Sequence, residues 1–161
     1  MRFSSRAHYG LRAMVELARA YEGGALSLGD IARSEDLSLG YLEQLMAKLR
    51  RGGLVEATRG ARGGYRLAAR PSSMTVGQVL RALDGPVALV ECVSEEADAR
   101  HCGREAACPS RQMWRKIRDT LVDVLDTTTL SDLFEPPGVD IQAAAQEPVS
   151  ILPGGLKEAM P

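Results

Sequence analysis

SLGYLEQLMAKLRRGGLVEATRGARGGYRL, residues 38–67, is the stretch that decides the fold of this 161-residue chain. Ser38 is a good helix N-cap, because its hydroxyl can accept a hydrogen bond from one of the first free backbone N–H groups. Apolar residues then recur at helical spacing, at Leu39, Leu42, Leu45, Met46 and Leu49. The sequence therefore predicts an amphipathic helix with one face in the core, ending at Gly52 and Gly53.

A short basic hairpin is expected directly after this helix. Residues 54–58 and 65–68 alternate like two strands, and the glycine-rich tip between them carries Arg59 and Arg62. From residue 48 to residue 70 there are seven Lys and Arg against one acid, Glu56. Such an excess of basic residues is typical of a polyanion-binding surface. A surface hairpin whose charges are merely solvated would show the same pattern. A helix followed by a basic hairpin is the arrangement of a winged helix-turn-helix, which predicts DNA binding.

The DNA-contacting residues are expected on the polar face of this helix and on the hairpin. Short hydrogen-bonding side chains on the helix would meet base edges in a major groove. The tip of the hairpin would approach the phosphate backbone or enter a minor groove. The candidates are Ser38, Gly40, Tyr41, Glu43, Gln44, Lys48, Arg50, Arg51, Arg59 and Arg62.

The composition is that of a soluble protein with one domain, or one domain and an appendage, since 45% of the residues are hydrophobic and 25% are charged. The net charge of −1 conceals an asymmetry. Residues 1–70 hold 12 basic and 7 acidic side chains, whereas residues 71–161 hold 8 basic and 14 acidic side chains. There is no signal-peptide pattern and no apolar run of the ~20 residues that span a bilayer, which predicts a cytoplasmic protein without membrane attachment.

The sequence predicts three further helices besides the one in residues 38–51, and then one long helix. Helical spacing predicts a first helix within residues 3–21, a short second helix over 28–36 and a fourth helix from residue 76. A long helix is expected from a Ser110 cap to Thr127. Its apolar face bears the only tryptophan and has little left to bury against in its own subunit, so we expect it to pair with a second copy of the chain. The alternative is the last core helix of a monomer.

These patterns predict a mainly α fold with a small β-wing, divided into four parts. Residues 1–86 form a winged helix-turn-helix DNA-binding domain, and residues 87–109 form a cysteine-containing loop without regular structure. Residues 110–134 form the dimerisation helix. Residues 135–161 hold five prolines and three glycines without an apolar period, which predicts a disordered tail.

All three cysteines lie in the predicted loop, at Cys92, Cys102 and Cys108, with nine and five residues between them. In a reducing compartment an odd number of cysteines indicates a metal, a reactive thiol or plain burial. The spacing lacks the tight pairs of zinc ribbons, and three thiolates on a flexible loop suit an iron–sulfur cluster, of the two-iron or the four-iron type. Candidates for a fourth ligand are His8, His101, Glu91 and Glu105. Arg104 and Arg111 are candidates for lowering the pKa of the cysteines instead.

A set of short motifs is distributed over residues 1–134. They are MRFS at 1–4 with Tyr9, SL at 38–39 followed by YLEQL at 41–45, RG at 59–60 with GGY at 63–65, VGQV at 76–79, the segment from Cys92 to Cys108, and TLSDL at 129–133. Together they resemble the Rrf superfamily of bacterial winged-helix regulators, with its IscR-like and NsrR-like members.

The resemblance implies a homodimer on a palindromic operator. It implies base reading by the residues matching Tyr41, Glu43 and Gln44, and a minor-groove arginine matching Arg59. It also implies an iron–sulfur cluster that senses redox, nitric oxide or iron–sulfur status, held by three cysteines that match Cys92, Cys102 and Cys108.

Two features depart from the pattern of the family. The first cysteine spacing is longer than in IscR-like members, and Arg111 stands where those members have a ligand histidine. NsrR-like members take a side chain from the partner's first helix, at the position matching His8. The resemblance therefore makes His8 the candidate fourth ligand.

Two other functions fit the sequence, and both retain the winged-helix fold. The cysteines would then form a thiol switch or a zinc site, or the chain would act through a metabolic-enzyme partner. An enzyme is not expected, because no Ser/His/Asp set, phosphate-binding loop or paired-carboxylate site is visible.

Overall fold

The fold consists of five α-helices, a two-stranded wing between the third and fourth helices, and a second, smaller hairpin between the fourth and fifth helices, among the residues that the structure describes. The computed structural model describes residues 4–60, 63–95 and 108–134. The helices are α1 Ser5–Arg19, α2 Leu28–Glu35, α3 Leu39–Arg51, α4 Val76–Asp84 and α5 Arg111–Thr127. The strands are β1 Val55–Thr58, β2 Gly64–Leu67, β3 Ala88–Val90 and β4 Val93–Ser94, and 3₁₀ turns lie at Tyr21–Gly23, Pro71–Ser73 and Ser131–Leu133. The mainly α fold with a small β-wing is confirmed.

Side-chain caps fix where most of the helices begin. The hydroxyls of Ser4, Ser27 and Ser38 each accept a hydrogen bond from a first-turn backbone N–H of α1, α2 and α3. Thr75 forms a capping box with Gln78 at the start of α4. Helix α5 begins directly after Ser110, as predicted, but the backbone of Ser110 is already helical and its side chain makes no capping hydrogen bond.

Helix α3 passes through the centre of the core. Its apolar stripe is at most 1% exposed at each of Leu42, Leu45, Met46 and Leu49. These side chains pack among buried residues of every neighbouring element, namely Ala13, Met14, Leu17, Ile31, Leu54, Val55, Leu67, Val79, Leu83 and Leu130. Burial of each large side chain contributes about 1.5–3 kcal/mol, so α3 is held firmly by its inner face.

The turn before α3 and the wing after it are both fixed by backbone geometry. Asp36 has a left-handed backbone (φ 52°) that ends α2 and lets the chain enter α3 at once. In the wing, β1 and β2 pair antiparallel. Leu26 and Tyr65 exchange two backbone hydrogen bonds of 2.9 and 2.8 Å, which fasten the tip-proximal part of β2 to the segment before α2. A Cβ on Gly64 would lie 2.1 Å from the Leu26 carbonyl oxygen, so only glycine permits this approach.

The segment predicted to lack regular structure begins with a hairpin. Strands β3 and β4 pair antiparallel with an irregularity in register, so the prediction for residues 87–109 is wrong for its first part. We call Val87 to Glu95 the cysteine hairpin, because Cys92 lies in its turn. Cys102 and the predicted tail, residues 135–161, lie outside the described residues.

Helix α5 packs against α4 with only a small part of its surface. Leu125 is its one buried residue, in a small cluster with Ala7, Val76 and Leu80. Large apolar side chains on another face stay exposed, with Met113 at 49%, Ile117 at 44% and Val124 at 54%. Within residues 4–60, 63–95 and 108–134, no helix is long and apolar enough to cross a membrane.

Candidate functional site

The outer face of α3 presents the polar side chains that the sequence predicted. Ser38, Gly40, Glu43 and Gln44 are exposed along the first two turns, and Arg50 and Arg51 are exposed at the end of the helix. Tyr41 is half-buried, and its ring lies edge-on against that of Tyr9, with 6.2 Å between the ring centroids. This contact anchors the start of α3 to α1 and leaves part of Tyr41 at the surface.

Leu39 differs from the prediction that it belongs to the core. Its side chain is 48% exposed, because the core closes over α3 only from Leu42 onward. It lies one turn before Glu43 on the same side of the helix, beside the polar face. Helical spacing could not reveal this exposure, because the spacing assigns Leu39 to the apolar stripe and does not show where the core ends.

Lys48 is directed away from the polar face. Its Nζ donates a 2.7 Å hydrogen bond to the backbone carbonyl of Leu83 at the end of α4. This carbonyl belongs to the last turn of α4, where no further helical N–H is available to it. Lys48 therefore fastens α3 to α4, a role that no sequence signal indicated.

The wing carries one described arginine at its tip. Arg59 is exposed, and the chain then turns at Gly60, whose φ of 123° favours glycine. Arg62 lies outside the described residues. At the base of the wing, Arg66 pairs across the strands with Glu56 at 2.7 Å. Within the part of the chain that the structure describes, no ion pair engages Arg50, Arg51 or Arg59, so these three charges are available to a polyanion.

The two described cysteines lie on neighbouring elements. Cys92 is half-buried in the turn of the cysteine hairpin, and Cys108 is half-buried just before α5. A hydrogen bond from the Arg118 guanidinium of α5 to the carbonyl of Ser94 (2.9 Å) holds the hairpin against that helix. Hydrogen bonding by the Ser110 hydroxyl, 3.4 Å from Sγ, and by the N–H groups of Ser110 and Arg111 lowers the pKa of the Cys108 thiol, with a further contribution from the Arg111 charge. Cys108 therefore forms the thiolate, which is the form that binds metal, at a lower pH than an ordinary cysteine does.

The structure does not place His8 beside Cys92 or Cys108, and it does not exclude His8 as a ligand of the predicted cluster. It is exposed on the first turns of α1, with its ring 5.0 Å from that of Tyr9. Among the described residues, no three His, Cys, Asp or Glu side chains are grouped closely enough to hold a metal ion. Since Cys102, His101 and Glu105 lie outside these residues, the predicted cluster site stays a prediction.

Helix α5 offers a groove beside its exposed apolar residues. The groove has a volume of about 420 Å³ and is lined by Lys116, Ile117, Thr120, Leu121 and Val124. The helix is basic in its first half, at Arg115 and Lys116, and acidic in its second half, at Asp119 and Asp123.

Comparison with known proteins agrees with the winged-helix geometry. Residues 3–136 match the family described as "Rrf2: Iron-dependent Transcriptional regulator". The chain is 43% identical over 133 residues to the HTH-type transcriptional regulator CymR of Bacillus subtilis, covering 83% of this chain and 89% of CymR. The structure of that protein, described as the global cysteine regulator of B. subtilis, matches with a TM-score of 0.68 at 42% identity, over 84% of this chain and 97% of the other.

Two further solved structures extend the likeness. T. potens IscR matches with a TM-score of 0.68 at 34% identity, over 92% of this chain and 93% of IscR. The oxidized form of Staphylococcus aureus CymR matches with a TM-score of 0.66 at 37% identity, over 84% of this chain and 97% of the other. The relatives named are transcriptional regulators and not enzymes. The family match covers most of the chain and the recognition helix and wing are both in place, so this chain belongs to the Rrf2 family of winged-helix transcriptional regulators.

Proposed function

We propose that the chain is a homodimeric regulator that reads a palindromic DNA operator with α3 and the wing. The observation that carries this proposal is that the polar residues on the outer face of α3, the arginines Arg50 and Arg51 at its end and the wing arginine Arg59 are all exposed. The inner face of the same helix is packed into the core, so the outer face is presented rigidly. A rigid helix with short polar side chains near its N-terminus is the form that enters a major groove.

Each exposed group suits one kind of contact with DNA. Gln44 can pair with the N6 and N7 edge of adenine, and Glu43 can accept from the N4 amino group of cytosine. Leu39 adds an apolar group that suits the methyl group of thymine. Ser38, Gly40 and Tyr41 lie at the edge of this surface. Arg50 and Arg51 would bind phosphates, and Arg59 with Arg62 would enter the neighbouring minor groove.

The exposed face of α5 supports the homodimer. Met113, Ile117 and Val124 would leave water if two copies of α5 paired along the groove. A two-fold axis that sets the helices antiparallel would place Arg115 and Lys116 of one copy near Asp119 and Asp123 of the other. The same two-fold axis would relate two recognition helices, which is why the operator is expected to be palindromic.

The cysteines support a sensory role for the region from 87 to 109. Cys92 and Cys108 are free thiols on elements held against each other, and the pKa of Cys108 is lowered, so the described donors fit an iron–sulfur cluster. Cys92, Cys102 and Cys108 would hold it, with His8 of the partner subunit as the fourth ligand. When bound, the cluster would supply sensitivity to redox state, nitric oxide or iron supply.

A thiol switch is the second candidate, favoured by the lowered pKa of Cys108 and by a relative whose structure is described as an oxidized form. A zinc site would use the same thiols. A metabolic-enzyme partner stays a prediction.

DNA reading is tested by selecting bound sequences from a random duplex pool and measuring their affinity as salt is raised. We expect a palindromic consensus and a linear fall of log affinity with log salt, with a slope of about −0.9 for each phosphate contacted. Arg51→Ala should make that slope shallower by about one. Arg33→Ala, which removes a charge already paired with Asp30, is the matched control. If no sequence is enriched and affinity is insensitive to salt, the proposal is wrong.

The cluster is tested on protein purified without oxygen. We expect a brown protein with iron and acid-labile sulfide in equal amounts, and loss of both in a Cys108→Ser variant. His8→Ala should change the visible spectrum. A colourless protein that takes up neither iron nor sulfide, yet binds its operator, would favour the thiol switch, and stoichiometric zinc would favour a zinc site.

A further inference from the structure

One arginine in α4 is shared between the cysteine hairpin and α5. The Nε of Arg81 donates to both carboxylate oxygens of Glu95, at 3.0 and 3.2 Å. Its terminal nitrogens donate to the two oxygens of Asp126, at 2.5 and 2.9 Å. A planar guanidinium is suited to this double fork, which a lysine ammonium cannot reproduce. Arg81 therefore joins three elements at one point.

Glu95 also holds the two ends of the cysteine hairpin together. Its Oε2 also accepts a 2.7 Å hydrogen bond from the backbone N–H of Val87, at the other end of the same hairpin. Glu95 therefore links both ends of the hairpin to the Arg81 guanidinium, and Cys92 lies in the turn between them. The bonds from Arg81 hold the pKa of Glu95 below its ordinary value, so the carboxylate stays charged at neutral pH.

The other side of α4 is fastened to the recognition helix. Two residues after Arg81, the carbonyl of Leu83 accepts the 2.7 Å hydrogen bond from Lys48 of α3. The two helices are also closely packed there, because a Cβ on Gly52 would lie 2.9 Å from the Cβ of Ala82. A displacement of the hairpin that pulls on Arg81 therefore acts on a helix that is bonded directly to α3.

We propose that Arg81 is the positioning residue that couples the Cys92 hairpin to the recognition helix, with Lys48 as its connection to α3. This inference rests on the proposed function, because it takes α3 to be the DNA-reading element. A two-state arrangement of α4 would let a change at Cys92 alter DNA affinity, and by linkage DNA binding must then alter Cys92.

This reciprocity provides a test that needs neither a cluster nor a known signal. The modification rate of Cys92 by N-ethylmaleimide is measured in reduced apo protein, with and without saturating operator duplex, by mass spectrometry of the Cys92 peptide. When the two states exchange faster than alkylation, the rate reports the population of the state in which Cys92 is accessible, so in the wild type DNA should change the rate by about fivefold or more. In Arg81→Gln and in Arg81→Lys the two rates should become equal. Arg19→Gln, which opens an exposed pair with Glu16, should behave as the wild type.

A second variant guards against a general loss of structure. Lys48→Met cuts the connection at α3 and leaves the Arg81 network intact, so it too should remove the effect of DNA on Cys92. The proposal is overturned if Arg81→Gln and Lys48→Met keep the wild-type rate ratio. It is also overturned if the wild type binds operator with no change at Cys92. Failure of the wild type to bind any DNA would instead reject the proposed function, and this inference with it.

Discussion

At the scale of single residues, Leu39 is the clearest addition to the proposed DNA-reading surface. Uracil differs from thymine only by the missing methyl group, so exchanging the two in the operator isolates apolar contacts. We expect one thymine whose replacement weakens wild-type binding by about 1 kcal/mol, roughly the value of burying one methyl or methylene group. In Leu39→Ala the same replacement should have no effect, as measured by fluorescence anisotropy. Equal losses in both proteins at every thymine would contradict the assignment.

The neighbouring hydroxyl of Ser110 affects the acidity of the Cys108 thiol. Because hydrogen bonding by Ser110 lowers the pKa of Cys108, its thiolate forms at a lower pH than that of an ordinary cysteine. We expect the rate of Cys108 alkylation in apo protein to rise with pH around a midpoint below its ordinary value of 9.0. Ser110→Ala should move that midpoint upward, as followed by mass spectrometry of the Cys108 peptide. A midpoint that Ser110→Ala leaves in place would show that the hydroxyl has no part in it.

At the scale of elements, the wing depends on one glycine. In Gly64→Ala the new Cβ would meet the Leu26 carbonyl at 2.1 Å, and the backbone must shift to relieve the contact. We expect a loss of about 1–3 kcal/mol in the free energy of unfolding, measured in urea. Gly40→Ala is the matched control, because its Cβ would meet no atom within 4 Å and alanine favours the helix. A Gly64→Ala variant as stable as the wild type would contradict the close approach seen between Gly64 and the Leu26 carbonyl.

The sequence predicts some of these elements and their boundaries but not others. The caps at Ser27, Ser38 and Thr75 were predictable, because a cap depends on residues within one turn of it. The cysteine hairpin was not, since its position depends on Arg81 binding Glu95, 14 residues away. The inward direction of Lys48 depends on Leu83, 35 residues away. The local sequence pattern was therefore sufficient to locate α3, the proposed DNA-reading helix, while the contacts that connect α3 to the cysteine hairpin arise only when distant elements pack together.

At the scale of the whole molecule, the exposed stripe on α5 predicts the oligomeric state. Ile117→Glu places a charge in the centre of the apolar groove, where pairing of two copies would desolvate it. We expect the wild type to be a dimer and this variant a monomer by light scattering at micromolar concentration, with weaker binding to the palindrome. Gln112→Glu adds the same charge at an exposed position away from the stripe and should remain dimeric. An unchanged dimer in Ile117→Glu would place the interface elsewhere.

In the proposed function, the state of the cysteines controls how well the dimer binds its operator. The most direct measurement compares the operator affinity of anaerobically reconstituted protein with that of the apo protein, at one salt concentration. We expect the two affinities to differ by about tenfold, within the range usual for coupled sites, and the difference to vanish in Cys92→Ser. Equal affinities for the two forms, with iron and sulfide shown to be bound, would contradict the account.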